Sequence, residues 1–335
     1  MVFHEEPRAE EREYDRALRP THFGEFIGQD LVRENLQIAI TAARGRGEPL
    51  DHVLFAGPPG LGKTTLSHLV ATGMGVQITI TSGPALASPK DLMGTLTRLE
   101  RGDILFIDEI HRLPRIVEEY LYTAMEDHAI DVTLDQGPAS RTLRVTLQPF
   151  TLVGATTREG LLSAPFRSRF GLIERLEPYP VSDLERILAR ASGLLGVAAT
   201  DEAIALLASR CRGVPRIALR MQRRVRDQAQ VEGLPTIDAG VTTRCLRRLG
   251  VDDLGLEDLD RRILKALVQR GEPTGLKTLA AMVDESEDTL EEVFEPHLLR
   301  CGLISRTPRG RVATRRTFEH LGMVPPAVGE LPFPA

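Results

Sequence analysis

Val53-Leu54-Phe55-Ala56-Gly57-Pro58-Pro59-Gly60-Leu61-Gly62-Lys63-Thr64-Thr65 is the stretch on which the fold turns. Its four leading apolar residues predict a short buried strand, and Gly57 to Thr64 satisfies the phosphate-loop pattern G-x-x-x-x-G-K-[ST]. Glycines let successive backbone N–H groups turn inward around an anion without Cβ clashes. The segment 64–71 has helical spacing, so the positive end of that helix aims at the same anion. A Gly-rich turn could match by chance, but a strand before it and an amphipathic helix after it argue against that. In this frame Lys63 reaches the β- and γ-phosphates of ATP, and the Thr64 hydroxyl serves as a ligand for Mg2+.

Working outward, apolar runs at Val53–Ala56 and at 76–81, 104–107, 150–155 and 172–176 alternate with helical patterns. That rhythm predicts an α/β domain, a parallel sheet with flanking helices. The run 104–107 ends in Asp108-Glu109, at the carboxyl edge of the sheet where such folds bind ligands. Acidic strand ends are common. Downstream of a phosphate loop, however, the pair suits Asp108 holding a magnesium shell and Glu109 polarising the attacking water. Within 129–147, Val132, Leu134, Leu143 and Val145 alternate with polar residues around Gln136-Gly137-Pro138, which predicts an inserted β-hairpin. Alternation alone leaves open whether Leu143 and Val145 face outward or the protein's own core.

After Pro180 the strand patterns stop. Ser182 with Glu185 reads as a capping box, and Leu184, Ile187, Leu188 and Ala191 keep helical spacing. Further helices are expected near Asp201, at Pro215 and near Asp238, making a small α-helical domain. Beyond it Leu259, Ile263, Leu264 and Leu267 share a helix face, and 276–283 and 286–301 are two more helices. Short strands at 303–306 and 311–314 flank Pro308-Arg309-Gly310, and three helices followed by a hairpin form a winged helix. The expected domains are 1–179, 180–252 and 253–335, the last ending in a Pro-rich tail from Val324.

The net charge of −5 shows no basic excess, so any nucleic-acid site must be local. Residues 253–295 hold 12 acidic and 5 basic side chains, whereas 297–320 hold 6 arginines and 1 glutamate. Arg306, Arg309 and Arg311 lie on the predicted wing, where guanidinium groups suit phosphate contacts and the minor groove. A solvated basic turn is the alternative. The helix over 286–301 carries Glu287, Asp288, Glu291, Glu292 and Glu295, which disfavours base reading and leaves DNA shape and charge as the basis of binding. Trp is absent and aromatics are 4%, against a stacking platform for single strands. Cys211, Cys245 and Cys301 form no CxxC pair, which fits a reducing cytoplasm. The segment 1–19 lacks the apolar core of a signal peptide, and no run is long enough to span a membrane.

Asp108-Glu109-Ile110-His111, Gly154-Ala155-Thr156-Thr157, Arg167-Ser168-Arg169-Phe170-Gly171 and Gly213-Val214-Pro215-Arg216 resemble successive motifs of the AAA+ ATPases. With the winged helix they resemble the RuvB family of bacterial Holliday-junction motors over nearly the whole chain. The resemblance implies an ATP hydrolase that assembles as a homo-hexamer. It would pump the duplex arms of Holliday junctions held by RuvA, with the resolvase RuvC in a larger complex, for recombination and repair. It also implies that Thr157 senses the γ-phosphate, Arg169 is an arginine finger for a neighbouring subunit's ATP, and Arg216 reports nucleotide state to the lid. Leu18, Arg19 and Tyr179 fall on the adenine side, and Gly60, Gly62, Thr65, Glu126, Asp127 and His128 complete the implied nucleotide set. Arg306 and Arg311 match the family's DNA contacts, and Leu143 and Val145 its RuvA contacts.

Blander readings stand beside these. Arg169 could be a surface ion-pair partner, Thr157 a strand-end hydroxyl and Tyr179 a core residue. A clamp loader or replication initiator would keep its DNA contacts in the ATPase collar, so loss of 253–335 would not abolish its binding. A protein remodeller would place an aromatic residue within 82–94, where there is none. The chain departs from the usual family wording in its extended N-terminus, its longer Pro-rich tail, and Arg220-Met221-Gln222 where an apolar pair is usual.

Overall fold

Five of the apolar runs become the strands of one parallel sheet in the computed structural model, which describes residues 18–133 and 142–325. The N-terminal extension through residue 17, Leu134, the turn Gln136-Gly137-Pro138 and the tail beyond residue 325 lie outside the described residues. The strands in chain order are β1 (Val53–Ala56), β2 (Ile78–Ser82), β3 (Ile104–Asp108), β4 (Ala129–Thr133), β5 (Thr142–Thr146), β6 (Thr151–Thr156) and β7 (Leu172–Arg175). The sheet order is β2-β3-β6-β1-β7, and β4 and β5 pair antiparallel with each other as the expected hairpin. The inner strands β1 and β6 are buried along their whole length, because helices cover both faces. Edge strand β2 keeps Ile80 half-exposed between threonines.

One face packs Leu54, Leu105, Ile107 and Leu152 against Leu92 and Leu96 of helix Pro89–Leu96 and Val117 and Leu121 of helix Arg115–Asp127. Helix Pro89–Leu96 opens with a capping box in which Ser88 and Asp91 satisfy one another's backbone. The capping box expected at Ser182 and Glu185 does not form. Pro180 is the N-cap of helix Val181–Leu195, which puts Ser182 inside the first turn.

The chain divides into two units, one spanning 19–177 and one made of Leu18 with the residues from Pro178 onward. The second contains helices Val181–Leu195, Asp201–Arg210, Pro215–Val231 and Ala239–Arg248, followed by the winged helix. Contrary to expectation, strands do not stop at Pro180. β8 (Ala198–Ala199) pairs in parallel with β9 (Thr236–Ile237), a ladder too short to leave an apolar pattern. The Gln222 that departs from family wording is buried, and its amide donates to the Leu188 carbonyl at 2.9 Å and the Ser192 hydroxyl at 2.7 Å. A polar partner on the facing helix thus accounts for a polar residue in the core.

In the winged helix, helices Asp258–Arg270 and Leu276–Val283 precede a third that is not one uninterrupted α-helix. It runs as Glu287–Thr289, a π-helical turn at Leu290–Phe294, and Glu295–Arg300. Pro296 lacks the N–H that an α-helix would donate there, and a widened turn absorbs the loss. The wing strands are β10 (Ile304–Thr307) and β11 (Gly310–Ala313), with Arg306 directly opposite Arg311.

The same unit holds a buried ion cluster. Arg212, at φ 56°, puts Nη2 2.7 Å from the Asp260 carboxylate and donates from Nε to the Gly255 carbonyl at 2.8 Å. Its own carbonyl accepts from Arg300 at 2.8 Å. Asp260 is fully buried and also accepts from the Glu257 amide at 2.7 Å. Burial pushes the Asp260 carboxyl up from its ordinary value, against the pull of the Arg212 charge.

Candidate functional site

The phosphate loop is held open by backbone geometry. Gly57, Gly60 and Gly62 all have positive φ (139°, 80° and 105°), and a Cβ on Gly57 would come within 2.5 Å of the Leu176 carbonyl oxygen. Only glycine fits that approach. Lys63 opens helix Lys63–Met74, whose N-cap Gly62 offers no side chain to the first N–H groups. An anion in the loop would satisfy donors at such a helix end. The buried Lys63 amine donates to the carbonyls of Gly57 (2.6 Å) and Pro58 (2.9 Å), spanning the loop. Glycine cradle, helix end and lysine together fit a triphosphate.

Parallel pairing brings the other groups to the same sheet edge. β6 lies between β1 and β3, with Thr156 in register with Ala56, the residue before Gly57. Asp108 ends β3, half-buried, and accepts the Glu109 amide at 3.0 Å. Glu109 takes a left-handed conformation (φ 48°), and its carboxylate accepts from Arg112 Nη1 at 2.8 Å. Gly83 is pressed against this turn, since a Cβ there would lie 2.4 Å from the Glu109 carbonyl oxygen. Thr64 and Asp108 supply the hydroxyl and carboxylate that a magnesium shell takes. Among the described residues no group of three or more His, Cys, Asp or Glu side chains could hold a metal by itself. A cation at this site would therefore share its shell with phosphate oxygens and water.

Thr156 is buried and its hydroxyl is committed: it accepts from the Arg158 amide at 2.9 Å and sits 3.0 Å from His111 Nδ1. Thr157, next along the chain, is half-buried, as are Thr64 and Thr65. His111 thus links the turn after β3 to the end of β6. It appeared in the sequence only as part of a motif, with no signal of this partner.

Arg169 follows the short helix Ala164–Arg167 and meets two residues of helix Arg115–Asp127. Nη2 pairs with Glu126 at 2.9 Å, and the guanidinium lies 4.4 Å over the Tyr122 ring and donates to its hydroxyl. The implied pair Glu126 and Arg169 is therefore brought together. Asp127 is occupied by Arg144 of the hairpin at 2.9 Å, and His128 caps the helix in a left-handed conformation. Tyr122 went unnoticed in the sequence, where its only signal is that it lies one turn from Glu126.

Leu18, Tyr179 and Arg216 belong to the second unit. Leu18 is buried and its carbonyl accepts from Arg190 at 2.8 Å. Tyr179 is buried and its amide donates to the Gly213 carbonyl at 2.8 Å, while Arg216 lies in the first turn of helix Pro215–Val231. Arg19 is half-buried.

The wing differs from the simple picture of three solvated guanidiniums. Arg306 Nε is 2.7 Å from Glu295 Oε1, and Arg311 grips the same carboxylate in a fork at 2.9 and 2.9 Å. Glu295 is buried behind them on the third helix. Burial pushes its carboxyl up, but hydrogen bonds from Arg306 and Arg311 outweigh that and hold it below its ordinary value. The Arg311 side chain is only 15% exposed, against 52% for Arg306, and Arg309 is exposed at the turn. In the hairpin, Leu143 is exposed and Val145 half-buried, opposite Val132 and Ile130. Cys211, Cys245 and Cys301 are free thiols, and among the described residues no helix is long and apolar enough to cross a membrane.

Three family profiles match in succession. Residues 18–176 match the Holliday junction DNA helicase RuvB P-loop domain, 179–252 the RuvB AAA lid domain, and 253–322 the RuvB C-terminal winged helix domain. The Holliday junction branch migration complex subunit RuvB of Chlorobaculum tepidum is 53% identical over 322 residues, covering 95% of this chain and 94% of that one. That of Salinibacter ruber is 50% identical over 322 residues, covering 96% and 94%. The solved structure of the Thermotoga maritima RuvB Holliday junction branch migration motor superposes with a TM-score of 0.86 at 49% identity, over 92% of this chain and 100% of that one. Agreement across all three domains sets aside the clamp-loader and remodeller alternatives. The chain belongs to the RuvB family of Holliday junction branch migration ATPases.

Proposed function

We propose that this chain is the motor subunit of a hexameric ring that hydrolyses ATP at subunit junctions and drives duplex arms of Holliday junctions past RuvA. RuvC joins the larger assembly, in the cytoplasm. The observation that carries the reading is the convergence of Lys63, Asp108-Glu109 and Thr157 at the carboxyl ends of three neighbouring parallel strands. Lys63 and the loop amides bind the phosphates, with Gly60, Gly62, Thr64 and Thr65 shaping the loop. Mg2+, held by Thr64 and Asp108, would draw charge off the phosphates. Glu109 orients and polarises the attacking water, and must leave Arg112 to do so. Thr157 senses the γ-phosphate. Leu18, Arg19 and Tyr179 hold the adenine side, and Arg216 couples nucleotide state to the lid. Glu126, Asp127 and His128 complete the nucleotide-binding set, and Arg169 acts on the ATP of the adjacent subunit.

Two substitutions separate binding from chemistry. Lys63→Ala should lose nucleotide affinity, whereas Glu109→Gln should bind ATP and assemble while turning over about 10²- to 10⁴-fold more slowly. Wild-type turnover by Glu109→Gln would remove the water-polarising role.

DNA is held by charge on the wing, through Arg306, Arg309 and Arg311, while exposed Leu143 with Val145 offers RuvA an apolar contact. Each lost phosphate contact lowers the slope of log K against log salt by about 0.9 on duplex DNA. Arg306→Ala and Arg309→Ala should each show that drop on random duplexes, leaving DNA-free ATPase intact. An unchanged slope in the double variant would move the DNA site elsewhere.

A further inference from the structure

Arg169 is held more firmly than a half-exposed arginine on a connecting segment requires. Its guanidinium stacks on Tyr122, donates to the Tyr122 hydroxyl and pairs with Glu126. Tyr122 and Glu126 are one turn apart on helix Arg115–Asp127, so ring and carboxylate share one face. One turn earlier on that face, Glu118 accepts from the Ser163 hydroxyl, which caps the helix leading into Arg169. Three successive turns of one helix therefore dock the segment that carries the arginine. Phe166 and Phe170, both buried and 5.4 Å apart edge to face, anchor it from the core. Arg169 Nε is buried without a hydrogen-bond partner, a donor left unspent within the subunit.

A long arginine side chain loses rotamer freedom when it reaches for a phosphate, and pre-orientation removes that cost before the encounter. A flat ring orients a flat guanidinium, the hydroxyl sets its rotation, and the carboxylate keeps it from swinging away. From this docking we infer that Tyr122 is the positioning residue of the arginine finger, with Glu126 as its counter-charge. The inference rests on reading Arg169 as a finger that acts on the neighbouring subunit.

Tyr122→Ala removes ring and hydroxyl, and Tyr122→Phe only the hydroxyl. Misplacing a catalytic group by about 1 Å costs about 10²-fold in rate. Tyr122→Ala should therefore lower kcat by about 10²-fold with KM for ATP and ring assembly unchanged, and Tyr122→Phe should fall between it and wild type. Mixing each variant with Lys63→Ala decides between positioning and general support. Lys63→Ala subunits carry an intact Tyr122 and Arg169, so intact phosphate loops in Tyr122→Ala subunits should regain ATPase beside them. A residue that merely supports its own subunit's fold would not be rescued by a neighbour. Recovery in an Arg169→Ala with Lys63→Ala mixture, but none with either Tyr122 variant, would overturn the inference alone. No recovery in any mixture would overturn the finger reading beneath it. If Tyr122→Ala fails to assemble, the Tyr122→Phe mixture carries the same decision, and wild-type kcat in Tyr122→Phe together with a stable, fully active Tyr122→Ala also overturns it.

Discussion

Arg169→Ala is expected to bind ATP through its own Lys63 and to hydrolyse it about 10³- to 10⁵-fold more slowly, the contribution typical of an arginine finger. The physical reason is charge. As the phosphoryl group transfers, negative charge spreads onto its oxygens, and a guanidinium placed there stabilises the transition state more than the ground state. Within its own subunit Arg169 faces Tyr122 and Glu126, and its segment follows β6 and precedes β7. A loss of turnover without a loss of nucleotide affinity is the expected signature. Steady-state ATPase beside equilibrium nucleotide binding measures both. On the proposal that Arg169 completes a neighbouring subunit's site, wild-type ATPase per subunit should rise with protein concentration. Normal hydrolysis by purified Arg169→Ala would leave the residue an ion-pair partner of Glu126 and nothing more.

The second large effect is on stability. Arg212→Ala should destabilise the lid and winged-helix unit by about 3–5 kcal/mol, because it strands the Asp260 carboxylate in a fully buried setting. On a unit of this size that corresponds to a fall in Tm on the order of 10 °C. Calorimetry on the full chain reads it as an early transition of that unit. The pH dependence has a definite sign. With Arg212 in place, burial already raises the Asp260 carboxyl above its ordinary value. Without the guanidinium the folded-state value rises further, so the folded state binds the proton more tightly than the unfolded one. At pH below the unfolded carboxyl value both states are protonated and the penalty of burying that charge is absent. Stability is then lost as pH rises toward the folded-state value. The gap between Arg212→Ala and wild type should therefore shrink in acid and widen toward neutrality. A gap independent of pH would mean that lost packing, rather than a stranded charge, sets the cost.

Much of the molecule was legible without coordinates, and the physical reason is locality. A phosphate loop is a contiguous run of backbone, so Gly57 to Thr64 states its own conformation through three glycines that must take positive φ. Apolar runs state their strands, and β1 at Val53–Ala56 and helix Leu276–Val283 begin and end where the pattern does. The acidic pair at the end of β3 and the arginines of the wing are likewise readable from composition at a fixed place in an element.

Tertiary structure alone decided which side chains meet. Arg169 finds Tyr122 and Glu126, Arg212 finds Asp260, Gln222 finds Ser192, and two wing arginines share Glu295. In each case the partners lie on different elements, and their encounter depends on how helices pack, which no local period encodes. Glu295 is the clearest example. It sits in an acidic stretch that reads as solvated, yet the π-helical turn before Pro296 carries it inward to a buried position behind the wing. The Ser182 and Glu185 box failed for a related reason: with Pro180 as the N-cap, helix Val181–Leu195 began two residues before the start that box required. Sequence alone thus determined the longer strands and helices and the chemical groups they carry, because backbone conformation there follows from neighbours along the chain, while the two-residue ladder of β8 and β9 left no such pattern. Packing decided the ion pairs, because a charge taken out of water must find a partner wherever the fold supplies one.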